Sequence, residues 1–366
     1  MNRMDVAGWV LSACAHTLRL SQLKTLSVLV AAALHTPRIS LANLGRAMLG
    51  RAKHQIKRAW RFCANPRVET ADAMKAVIGK LLKRRKKRLL ISFDWTDIRG
   101  FHTLMAAAVV KGRSIPLCWA SCWGSTFDGH RSQNAFEESL LLVLRHMIPP
   151  TLKVTILADR GFGRTELARF CQQQGFSFIL RVQPDVHVVG AGYRGKLLDY
   201  LVYKGIGRVL KGVEYRQERP VTVNVAIRWK RGLPKDRDEC WFLITDLDLS
   251  AERLCQLYGR RMTIEELFRD GKNKRNGWSL RDTQLSRPER VDRLLLILAL
   301  AYLLLCGLGL RARVLCRPGA WCSNNKQGTL SVFQIGLLML GQLPVRPREA
   351  FEAVRRATLA AVPKWG

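Results

Sequence analysis

The chain has 366 residues, enough for two or three domains, and its 48% apolar content supports a packed core, which excludes a disordered chain. Sixty-one Lys+Arg stand against 28 Asp+Glu, and the formal charge of +33 points to a polyanionic partner, nucleic acid first and an anionic membrane surface second. The ten cysteines are scattered without a Cys-x-x-Cys pair, which argues against a zinc site and a disulfide framework and fits free thiols in a reducing cytoplasm.

Residues 1–80 read as a small helical domain. Leu23, Leu26, Val30 and Leu34 recur at spacings of three and four, and Ser40 is placed to cap a helix over 41–49. Gly50 breaks it. A basic helix over 52–63 follows, carrying Lys53, Lys57, Arg58 and Arg61, with Ile56, Trp60 and Phe62 on its apolar side. Two short helices around a Gly turn, the second basic, outline a helix-turn-helix reader of DNA, although many helical pairs share that outline. The basic excess is concentrated here: residues 1–93 hold 19 Lys/Arg and only Asp5, Glu69 and Asp72 as acids. The charge run at 81–88 reads as a linker, either solvated or tracking phosphates.

From Leu89 the pattern changes. Apolar runs at 89–93, 104–110 and 115–121 read as strands, the last two joined by a Lys111-Gly112-Arg113 turn. A helix over 133–147, a strand over 154–157, a helix over 165–174 and a strand over 176–182 complete an α/β stretch at 89–182 with a mixed sheet. Residues 183–247 break that rhythm. Val221, Val223, Val225, Ile227 and Trp229 alternate strictly, as in a half-buried antiparallel strand, so this stretch reads as a β-rich insertion. The α/β pattern resumes at 248–312, and a helical region with a basic tail occupies 313–366. Leu294 to Leu310 carries no charge between Arg293 and Arg311; we expect a helix buried in a large core, with a membrane-spanning helix as the alternative.

Chemistry concentrates at three acids. Asp94 and Asp159 each end a short apolar strand, and strand ends of α/β sheets are where ligands bind. The third, Glu265, lies in Tyr-Gly-Arg-Arg-Met-Thr-Ile-Glu-Glu-Leu-Phe-Arg-Asp-Gly-Lys, residues 258–272. Read as one continuous helix, Tyr258, Arg261, Glu265 and Lys272 fall within an arc of about 60° beside an apolar stripe of Leu257, Ile264 and Phe268, while Glu266 and Asp270 face the other side. Hard oxygen donors of this kind suit Mg²⁺ shared with a substrate phosphate. Each acid has a plainer reading: Asp94 as a turn acid in competition with Asp97, Asp159 as an Asp-Arg-Gly turn former, Glu265 as an i,i+4 partner of Arg261 on a solvated face. Nucleotide-binding and serine-hydrolase loops are absent from the sequence.

The spacing Tyr-x2-Arg-x3-Glu-x6-Lys, met at Tyr258, Arg261, Glu265 and Lys272, resembles the signature of the insertion-sequence DDE transposases, specifically the insertion-sequence-four family. Phe93-Asp94-Trp95-Thr96 and Ala158-Asp159-Arg160-Gly161-Phe162 are similar to the contexts of that family's first two acids, and the resemblance covers roughly residues 85–310. It implies a ribonuclease H-like catalytic domain interrupted by the β-rich insertion and preceded by a DNA-binding domain. It implies that Asp94, Asp159 and Glu265 are catalytic and hold two Mg²⁺ ions, with Mn²⁺ an alternative. Tyr258, Arg261 and Lys272 would grip phosphates, and Trp241 would stack a flipped base, where the plainer reading is a core tryptophan in a strand. The partners implied are double-stranded DNA, both terminal inverted repeats and target, and a second copy of the chain, at least a dimer on DNA. The place of action would be the bacterial cytoplasm with the nucleoid, without a membrane. A non-catalytic DNA-binding protein or inactive copy is the alternative function.

Overall fold

The computed structural model describes residues 1–83, 88–127, 132–200, 202–203, 205–230, 239–274, 277–280, 283–323 and 330–361. Half of the charge run expected as a linker at 81–88, residues 84–87, lies outside them, while Leu81 ends a helix and Arg88 begins a strand. In chain order the elements are α1 (Arg3–Ala13), α2 (Leu20–Leu34), α3 (Leu41–Ala47), α4 (Ala52–Ala64), α5 (Thr70–Leu81), β1 (Arg88–Ile98), β2 (Phe101–Val110), β3 (Arg113–Trp123), α6 (Gln133–Met147), β4 (Lys153–Ala158), α7 (Thr165–Gln173) and β5 (Phe176–Arg181). Then come β6 (His187–Gly190), β7 (Tyr193–Lys196), β8 (Gly207–Tyr215), β9 (Val221–Lys230), β10 (Glu239–Thr245), α8 (Ala251–Tyr258), α9 (Met262–Lys272), α10 (Pro288–Leu315), α11 (Val332–Met339) and α12 (Pro347–Ala360). This is a mixed α/β chain with a large mixed sheet.

Two compact units form. The first comprises Met1–Arg85, Trp95–Thr151 and Thr263–Gly366, and the second Lys86–Asp94 and Leu152–Met262.

In the first unit α10 is the central element. It is long and apolar enough to cross a membrane, yet its apolar stretch is buried against α2, α4, α11, α12 and β3. Helices approach it closely where glycine removes the side chain: a Cβ on Gly307 would lie 2.1 Å from the Ala350 carbonyl oxygen, and one on Gly309 only 1.8 Å from that of Val332. In α3 the Ser40 hydroxyl accepts the Asn43 N–H at 3.1 Å, the expected N-cap. α3 and α4 then meet at Gly45, where a Cβ would stand 2.5 Å from the Ile56 Cα. β2 and β3 form an antiparallel hairpin whose turn places Gly112 at φ +78°, a left-handed position that favours glycine.

In the second unit the hydrogen-bonded order is β1-β4-β5-β10-β9-β8-β6-β7. β1, β4 and β5 are parallel, and the strands beyond them antiparallel. Val221, Val223, Val225 and Ile227 are buried, as their alternation predicts. The strands read as an insertion extend the same sheet: β10 pairs with β5, Leu243 opposite Arg181. Alternation identifies a strand but not its partner.

Candidate active site

The parallel register of β1 and β4 runs from Arg88 opposite Lys153 to Ser92 opposite Leu157. Asp94 and Asp159 each lie two residues beyond that last pair. Asp94 stays within β1, which runs on to Ile98, whereas Asp159 follows the last residue of β4, so the expected strand end holds for Asp159 alone; the two strands are about 5 Å apart where they pair. The segments around them pack together: the buried rings of Phe93, next to Asp94, and Phe162, three residues after Asp159, have centroids 5.2 Å apart. Asp159 Oδ1 accepts the Gly161 N–H at 2.9 Å, which caps the 3-10 turn Arg160–Phe162. Tyr215 adds a hydroxyl donated to the Gly163 carbonyl at 2.7 Å, fixing the loop that follows Asp159. Asp97, the competitor of Asp94, belongs to the first unit, where its carboxylate accepts the Gly100 N–H in the β1–β2 turn.

The stretch 258–272 is not one helix. α8 ends at Tyr258, a 3-10 turn covers Gly259–Arg261, and α9 starts at Met262. Glycine is a poor helix former, and at Gly259 the chain tightens rather than continuing at 100° per residue. The single polar arc is therefore corrected. Tyr258 and Arg261 belong to the second unit, Glu265 and Lys272 to the first.

Arg261, 8% exposed, donates from Nη1 to Asp94 Oδ2 at 2.9 Å, a shielded ion pair on β1. Tyr258 is buried, and burial pushes its phenol up to about 12, while the Arg261 and Arg181 charges oppose the rise. At neutral pH it keeps its proton and is a hydrogen-bond donor. Trp241 in β10 is 5% exposed and sits edge-on to Tyr258, with centroids 4.9 Å apart at 82°. As placed it is a packed strand residue, and stacking a base on it requires its ring to turn out.

On α9, Ile264, Leu267 and Asp270 are buried and Glu265 and Lys272 half-buried. Lys272 Nζ lies 5.9 Å from the centroid of the Phe268 ring. Asp270, expected on the far side of the helix, is 4% exposed. It accepts Arg113 Nε at 2.7 Å and the Tyr302 hydroxyl at 2.8 Å. Burial pushes its carboxyl up, against the pull of Arg113. This pin fixes α9 to the β2–β3 turn and to α10. No pattern in the sequence marks it, because its three members come from distant segments.

On α4, Lys53, Lys57 and Arg61 are exposed, whereas Arg58 is half-buried and donates to Thr25 Oγ1 at 3.2 Å. Lys57, Arg58 and Arg61 line a cleft of about 640 Å³ with Thr25 and His54. α4 is anchored from below: Arg290 of α10 stacks on Trp60 at 4.5 Å, and Arg293 donates to the Cys63 carbonyl at 3.1 Å.

Among the described residues no three His, Cys, Asp or Glu side chains group closely enough to hold a metal ion. Asp94 on β1 and Asp159 just after β4 nonetheless supply the donor chemistry of a hard divalent ion, which commonly uses one or two carboxylates and completes its shell with water and substrate phosphates.

A family model described as "Transposase DDE domain" matches residues 85–304, more than half of the chain. No curated protein matches.

Proposed function

The chain belongs to the DDE transposase family, and from that premise we propose that it is a DNA transposase that binds terminal inverted repeats, cleaves strands at the element's ends and joins the new 3′ hydroxyls to target DNA. The observation that supports this reading is that Asp94 and Asp159 each stand two residues beyond Ser92 and Leu157, the last registered pair of the parallel strands β1 and β4. We assign the catalytic domain to the ribonuclease H-like class. Asp94 and Asp159 would hold divalent ions, Mg²⁺ or Mn²⁺, with Glu265 as the third carboxylate we assign to them. When bound, these ions supply Lewis-acid stabilisation of charge on the scissile phosphate.

The chain's own residues bind and orient. Arg261 and Lys272 are cations for phosphates flanking the scissile bond, and Tyr258 donates its hydroxyl proton as a neutral phenol. Trp241 offers a π-face to an extruded base once turned outward. Lys53, Lys57 and Arg61 present an exposed basic helix face to the repeat, which Arg58 supports through Thr25. Pairing of two ends requires at least a dimer on DNA. The arena is the cytoplasm, on nucleoid DNA.

Asp94→Ala, Asp159→Ala and Glu265→Ala are each expected to reduce divalent-dependent cleavage of an end-containing duplex to background, while leaving duplex binding in place. Substantial cleavage by any of the three removes that residue from the site. A parent chain that binds ends but never cuts them returns the non-catalytic alternative.

A further inference from the structure

Three clefts of the first unit share their borders. One lies between α1 and α12, beside Trp9 and Arg346. It meets a central cleft of about 960 Å³ at Lys80, Arg348 and Phe351. The central cleft meets a third at Lys111 and Arg313, and the third runs along Arg269 of α9 and Asn273 just after it. Together they form one continuous track, ending on the helix that carries Glu265.

The track is cationic beyond its internal pairing, and its cations outnumber the further carboxylates of Asp5 and Glu349 that also line it. Glu352 is held by Arg355 at 2.6 Å and by Arg356 at 3.2 Å, and Glu266 by Arg269 at 2.8 Å and Arg113 at 3.4 Å. Lys111, Arg311, Arg313 and Arg348 remain without a carboxylate partner among the described residues. Arg311 Nε is buried there without any hydrogen-bond partner. Burial lowers the proton affinity of the Arg313 guanidinium, and the like charge of Arg113 lowers it further, a crowding that an anion relieves. Most of these residues lie outside the matched family segment of residues 85–304.

We propose that this track is a second DNA site, holding successive phosphates of a duplex along α12, the end of α10 and the β2–β3 turn toward α9. A row of separated cations suits a polyanion with regularly spaced charges better than a single small anion. That the polyanion is DNA rests on the proposed function.

The test is a salt titration of binding to a random-sequence duplex, between about 50 and 200 mM salt. It compares the parent with Lys111→Gln/Arg348→Gln/Arg356→Gln, all three exposed in the fold. Each lost phosphate contact lowers the slope of log K against log salt by about 0.9, so the triple variant is expected to fall by about 2 to 3 and to bind at least about tenfold more weakly at the low-salt end. Should the triple variant melt earlier than the parent, Lys111→Gln/Arg348→Gln alone repeats the measurement, with an expected fall of about 1 to 2. An unchanged slope and affinity, with the parent still cutting ends, overturns the track and leaves the transposase reading standing. Failure of the parent to bind any duplex overturns both. Loss of binding to phosphatidylserine vesicles with duplex binding intact overturns the DNA track in favour of a membrane surface.

Discussion

Asp270 carries a carboxylate into the interior of the first unit, where Arg113 and Tyr302 both donate to it. Removing one member of such a buried pair costs about 3–5 kcal/mol, and the second carboxylate near Arg113, Glu266 at 3.4 Å, places this case at the lower end. Asp270→Asn is therefore expected to destabilise the fold by about 3 kcal/mol in denaturant titrations; a loss below about 1 kcal/mol means the pin does not hold α9. Asp292, on α10, behaves differently. Burial raises its carboxyl to about 7, opposed by hydrogen bonds from Ser121 and the charge of Arg293 and aided by Glu289. Its folded pKa lies above its unfolded value. The protonated acid thus favours the fold fully below about pH 4, and that contribution is lost as pH rises to about 7. Stability should fall across this window, by an upper bound of about 4 kcal/mol from this group. Asp292→Asn should flatten that fall when melting temperature is followed against pH.

At the scale of elements, α10 is defined by what approaches it. Gly309 of α10 and Gly336 of α11 have backbone oxygens of the facing helix at 1.8 and 2.1 Å from where a Cβ would be, Val332 and Leu305 respectively. Backbone cannot yield as a side chain does, so Gly309→Ala and Gly336→Ala should each cost about 1–3 kcal/mol, read as a lower unfolding midpoint. Much at this scale was legible in the chain: α6 spans the residues its periodicity predicts, and α10 is buried as its glycines and flanking arginines suggest. The break at Gly259–Arg261 was not, because the apolar stripe Leu257, Ile264 and Phe268 continues across it and masks the tightened turn. Asp159 was legible as a strand end; Asp94 was not, because β1 runs on through the polar Trp95-Thr96-Asp97 to Ile98. Nor were their shared register and the Arg261 contact, since both depend on pairing between segments far apart in sequence.

For the whole molecule, the formal charge of +33 opposes compaction in dilute salt. The melting temperature should rise when salt is added from very low levels, and heparin should raise it further by binding the folded state. Indifference to both would mean that the charge is already neutralised internally. The Arg261–Asp94 pair has a thermodynamic corollary. In the unliganded protein each serves as the other's counter-ion at 2.9 Å. On the proposed function, a phosphate that draws Arg261 away makes the field at Asp94 more favourable to a cation, and a cation on Asp94 weakens its hold on Arg261 and favours a phosphate there. DNA and divalent ion are then positively linked, and linkage is reciprocal: each raises the affinity of the other by the same factor. Calorimetry with both orders of addition measures that factor, and Arg261→Gln should bring it toward one.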